Sequence, residues 1–328
     1  RKPTIKGLGF LHASAGESAI VFCDPANLKA ADSQVWIGGT ALHETAAPPV
    51  ADFRVWDTNG GVLVSNGEVI AGSFMVGEDV YSVRSLREND LRCVVTREDI
   101  SGVMPVAYIS VKDPGISNMS LNQVESSTSQ TVTLDIGAYY TDELVLALGG
   151  EAQARTETAW GIATAQQLLI ASDVTTVTLR TVYLGPMPDP NFHESTDWVS
   201  MLYAFKDSPD VQTIAAMYGL DTNMLNLAEN TQFCGMAFLR TSMTYIWPFI
   251  EVGRSNRVCE MIQVTGHEFA HNAVGAAHFF GEFDTLVPYA NGYKYEAVPP
   301  GQEGFQTVPS SGCTTRYCPP PTTYSNPD

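Results

Sequence analysis

The chain has 328 residues, 44% of them hydrophobic, and 36 acidic against 18 basic side chains give a formal net charge of −18. That much apolar material is ample for a buried core, yet no stretch approaches the ~18 or more apolar residues of a membrane span. A surface of this sign repels nucleic acid and anionic membrane, which argues against both as partners.

The length exceeds that of a usual single domain, so two domains are expected. Residues 1–111 read as β-rich. Short β-branched or aromatic runs around 18–24, 52–58, 61–86 and 91–99 are separated by turn signals such as Asn59-Gly60-Gly61 and Asn66-Gly67. Residues 112–130 are dominated by Ser, Asn, Gln and Thr without apolar periodicity, which marks a linker. They include a formal glycosylation triplet, Asn118-Met119-Ser120.

Residues 131–328 change character. Strands are expected at 131–141, 175–185 and 222–229, with a short edge strand at 234–239. Helices are expected at 151–173, over about 196–218, and from about Asn256 onward. Strand alternating with helix predicts an open, twisted mixed α/β sheet with helices packed against it. Beyond Gly281 little regular structure is expected.

The helix starting near Asn256 carries His267-Glu268-Phe269-Ala270-His271, an HExxH motif. Histidines four positions apart share one helix face, so both imidazoles can reach one Zn²⁺, with the Glu beside them as general base. His278 follows as a candidate third ligand. Were the helix to run on through Gly275, His278 would stand ~10 Å beyond His271 at 1.5 Å per residue, too far for bonds of ~2.0–2.1 Å. The helix is therefore expected to end near Val274 and turn back at Gly275, where φ > 0 is free. Glu282 and Glu296 are weaker candidates for a third ligand. His43 and His193 sit in polar sequence and are expected to be solvated.

Six cysteines without a CxxC pair point to disulfides and hence to a secreted, oxidising setting. Cys313 and Cys318 would staple the short loop between them. For Cys23 and Cys93 two readings stand: a disulfide bracing the β-rich domain, or a thiol that occupies an open zinc position.

The motif, its Gly and its third His resemble the metzincin zinc peptidases, in particular the bacterial reprolysin-like group that includes the peptidyl-Asp metalloendopeptidases. The segment Tyr218–Leu239 is similar to that group's strand and Cys-Gly stretch, and Cys259 fits its next cysteine. Residues 291–328 resemble its closing region, and residues 1 to about 120 resemble its propeptide. The resemblance implies a β-rich prodomain packed against a metzincin-like catalytic domain, His267, His271 and His278 as zinc ligands, and Glu268 as general base. A protein or peptide substrate is implied as well.

Three departures from that pattern are visible. One surplus residue precedes Gly275, Phe279 replaces Asp after the third His, and Pro309 stands where the Met-turn has Met. The family also continues past Asp328 into a further helix. The departures support an alternative, a catalytically impaired relative that binds protein or polymer through the same scaffold.

Overall fold

The computed structural model describes residues 17–23, 25, 36–37, 40–45, 48–58, 60–76, 79–88, 90–98, 109–111, 131–228, 234–239, 247–252, 264–276, 278, 292, 294–295 and 305–306.

The first unit is a seven-stranded antiparallel sheet. Its strands are β1 (Ser18–Phe22), β4 (His43–Glu44), β5 (Arg54–Thr58), β6 (Gly61–Ser65), β7 (Ile70–Val76), β8 (Asp79–Ser85) and β9 (Arg92–Arg97), ordered β1-β9-β8-β7-β6-β5-β4. A two-stranded pair, β2 (Trp36–Ile37) and β3 (Thr40–Ala41), lies outside it. Asn66 forms the expected turn, its side chain accepting from the Glu68 and Val69 amides. The period-2 pattern sorts apolar residues onto two faces. Trp56, Leu63, Phe74, Tyr81 and Val83 pack with Cys23 and Cys93 on one side, while Val55, Val62, Val64, Ala71 and Val80 form the other. Cys23 and Cys93 are joined as a disulfide across 70 residues, which decides between the two readings of that pair.

The second unit is mixed α/β. After β10 (Ile109–Val111) come β11 (Val132–Tyr140), α1 (Asp142–Leu148), α2 (Glu151–Ala171), β12 (Val177–Pro186), α3 (Trp198–Asp207), α4 (Pro209–Tyr218), β13 (Thr222–Leu227), β14 (Gly235–Phe238), β15 (Trp247–Val252) and α5 (Val264–Val274). The strands form a six-stranded sheet in the order β10-β14-β15-β13-β11-β12. Every pairing is parallel except β14 with β15. A small pair, β16 (Lys294–Tyr295) and β17 (Phe305–Gln306), follows.

Two differences from the sequence-based expectation have local causes. Helix α1 is an addition: the Thr141 side chain accepts from the Leu144 amide as N-cap, and Gly149 closes the helix at φ 87°. The helix expected over 196–218 is two helices. Pro209 occupies the first turn of α4 and holds Ser208 extended at φ −60°, ψ 119°, so α3 must stop there. Strand β15 was not anticipated. The zinc-motif helix is described from Val264; the stretch from Asn256 to its start lies outside the described residues.

Helix α2 is the hub of the molecule. It packs against β6 and β7 of the first unit, β11 and β12 of the second, and α5. Its Ala159, Ile162, Ala165 and Leu169 share a core with Ile136, Ala138, Leu179, Met224 and Phe269. Its Trp160 and Ala163 belong to the cluster made by Val55, Val62, Val64, Ala71 and Val80. Among the described residues no helix is long and apolar enough to cross a membrane.

Candidate metal centre

Helix α5 is buried from Val264 to Asn272: Val264, Thr265, His267, Glu268, Phe269, Ala270, His271 and Asn272 are each 4% exposed or less. A helix hydrophobic enough to be enclosed, yet carrying two imidazoles and a carboxylate, needs partners for those groups. Phe269 anchors one side in the core shared with α2. Asn272 is tied to β13 by a short hydrogen bond from the Thr222 hydroxyl to its Oδ1.

The helix stops at Val274, and Gly275 takes φ 68°, the left-handed conformation that only glycine adopts without strain. The Gly275 amide donates to the His271 carbonyl at 3.1 Å, the single bond of an αL cap, and the Ala276 amide donates to the Ala270 carbonyl at 3.0 Å. The residue surplus to the metzincin spacing is thus taken up as a longer helix end before the reversal.

The reversal brings His278 back over the helix. The ring centroids of His267 and His271 lie 4.6 Å apart, those of His271 and His278 4.7 Å, and those of His267 and His278 5.3 Å. One nitrogen from each ring falls within 4.8 Å of the other two, and His267 Nε2 is 2.8 Å from His271 Nε2. Tetrahedral bonds of ~2.0–2.1 Å set ligand nitrogens about 3.3 Å apart. Small ring rotations reach that spacing, so the donor set fits a metal ion.

The second ring nitrogen of His271 is also engaged. Its Nδ1 lies 2.5 Å from the Ala276 carbonyl oxygen, so the Nδ1–H donates there and Nε2 keeps its lone pair for a metal. Burial lowers the His271 pKa to about 3, helped by the neighbouring His278 and opposed by the Ala276 carbonyl. The imidazole is therefore neutral, the form that binds a cation.

Glu268 is fully buried and points at β14. A Cβ placed on Gly235 would fall 2.6 Å from Glu268 Oε1 and 2.7 Å from both Glu268 Cγ and Val264 Cγ2. Strand β14 thus lies against the carboxylate only because residue 235 has no side chain. Gly235 and the Ala276 carbonyl are the two contributors that sequence reasoning missed. The Cys-Gly step at 234–235 was a visible signal for the first; nothing local pointed to the second.

His43 lies exposed on β4, and the His193 side chain is 77% exposed beside Glu143, as expected of solvated histidines. Cys234 is disulfide-bonded, and no free cysteine occurs among the described residues. Phe279, Glu282, Glu296, Pro309, Cys259, Cys313, Cys318 and the triplet at Asn118 lie outside the described residues.

No family model matches the chain, and no curated protein does. Among solved structures, a chaperone–substrate complex is similar over 61% of this chain at 20% identity and a TM-score of 0.45. The chain spans 30% of the length of that match. Metalloproteinase-II from Bacteroides fragilis is similar over 89% of this chain and 92% of its own length, at 12% identity and a TM-score of 0.47. Likenesses at this level leave the chemistry to be read from the site itself.

Proposed function

We propose that the chain is a secreted zinc metalloendopeptidase in precursor form, with His267, His271 and His278 as the ligands and Glu268 as general base. The convergence of three buried imidazoles at the end of α5 carries the reading. Three imidazole ligands, with no fourth His, Cys, Asp or Glu in the cluster among the described residues, match the donor set of catalytic rather than structural zinc. When bound, the ion supplies Lewis acidity, which acidifies water and polarises a carbonyl.

The chain's own groups would do the rest. His271 is held in one tautomer by Ala276, so its Nε2 faces the ligand cluster. Glu268 takes a proton from the attacking water and hands it to the leaving amine nitrogen, a role worth about 10²–10⁴-fold in rate. Burial beside Gly235 gives the carboxylate little freedom to turn away. Strand β14 supplies a second element, because it would be the sheet's outer strand without β10. An extended peptide can add to such an edge through main-chain hydrogen bonds. In the precursor, Ile109–Val111 occupies that edge, paired in parallel with Met236–Phe238. Displacement of β10 is then the activating step.

The alternative of an impaired, purely binding relative would be favoured by a helix running straight through Gly275; α5 ends before it. The test is metal analysis with a casein assay, on intact chain and on chain cut within residues 112–130. The expected result is about one zinc per chain and hydrolysis by the cut form that chelator abolishes. Absence of bound zinc, or hydrolysis unaffected by both chelator and Glu268→Gln, would overturn it. Zinc without hydrolysis in the cut form would support the binding-module alternative.

A further inference from the structure

Helix α2 is buried on both of its sides. Fifteen of its residues, from Gln153 to Leu169, are buried. Residues Ala159, Ile162, Ala165 and Leu169 face the six-stranded sheet, whereas Trp160 and Ala163 face the N-terminal sheet. At 100° per residue these two sets point roughly 135° apart around the axis. A helix with one solvent face would carry polar residues there; this one places a tryptophan, 1% exposed, against Val55, Val62, Val64, Ala71 and Val80.

The N-terminal unit also enters the other core directly. Val50 and Phe53, 4% and 2% exposed, belong to the cluster of Ile136, Ala138, Leu179 and Met224. The backbone joins there as well: Val50 bridges Thr181 in parallel, and the Thr181 amide donates to the Pro49 carbonyl at 2.7 Å. Strand β10, by contrast, is held to β14 by three residue pairs.

From this we infer that the N-terminal sheet is a permanent half of the folded body, bound through α2 and the Val50–Phe53 segment, and that a cut in residues 112–130 does not release it. The mature form is then two chains in one particle. The inference is independent of whether the histidines bind metal, because it rests on apolar packing and main-chain hydrogen bonds and not on the ligand cluster.

The test places the recognition sequence of a site-specific protease between residues 112 and 130 of the full chain, cuts it to completion, and follows the fragments by size exclusion and native mass spectrometry. The expected result is one 1:1 complex with the elution volume of the uncut protein, persisting on dilution to nanomolar concentration. Separation of the fragments in native buffer overturns the inference, whether the C-terminal fragment then stays dissolved or precipitates. Trp160→Ala is expected to speed dissociation of the cut complex by at least about tenfold, as loss of a central buried tryptophan does at interfaces. A complex indifferent to that change overturns the assignment of the contact to α2.

Discussion

Two glycines hold the candidate site together. Gly275 must sit at φ 68°, so Gly275→Ala is expected to cost about 1–2 kcal/mol, the usual penalty for a side chain in the left-handed region. Because the same residue turns the chain back toward His271, zinc affinity should fall further than stability; thermal melts with and without metal separate the two effects. Gly235→Ala pushes a methyl into Glu268 and Val264, and overpacking of a full core costs about 1–3 kcal/mol. Zinc binding should survive that change while hydrolysis drops, since the carboxylate and not the histidines must shift. A third expectation concerns pH. His271 titrates near 3 when folded but near 6.5 when unfolded, so below about 6.5 the unfolded chain binds the extra proton. Stability of the metal-free protein should therefore fall as pH drops from 6.5 toward 3, by up to about 1.4 kcal/mol per pH unit from this group. Denaturant titrations at pH 7, 5.5 and 4.5 would read it, and a flat profile would contradict it.

At the scale of elements, α2 binds the layers together, and Trp160→Ala in the uncut chain should cost about 3–5 kcal/mol by the usual measure of aromatic truncation in a core. Urea unfolding would check the value. How much of this was legible in the sequence depended on whether the deciding interaction was local. The end of α5 could be read because Gly275 alone in that stretch tolerates positive φ. The split between α3 and α4 rests on Ser208-Pro209, a signal present in the sequence that the single helix expected over 196–218 left unused. Strand β10 could not be read, since its partner Met236–Phe238 lies more than a hundred residues away and nothing within Ile109–Val111 names it. The burial of α2 on both sides was also hidden: its apolar residues lie all round the helix, so no single face said what covers it.

For the whole molecule, the net charge of −18 makes self-repulsion a standing cost to compactness, which salt screens over about 8 Å at physiological ionic strength. The melting temperature should rise between 10 and 150 mM salt, measured without divalent ions so that screening and site binding are not confused. The Cys23–Cys93 bridge closes a loop of 70 residues in the N-terminal sheet, and the Cys23→Ser/Cys93→Ser pair should lose about 2–5 kcal/mol. That bridge bears on how the protein would be switched on. Both sulfurs of the N-terminal unit are already spent on each other, so mercurials and mild oxidants, which open sites held shut by a free thiol, find no target among its described residues. Activation through a released thiol would first need a reductant to open that bridge.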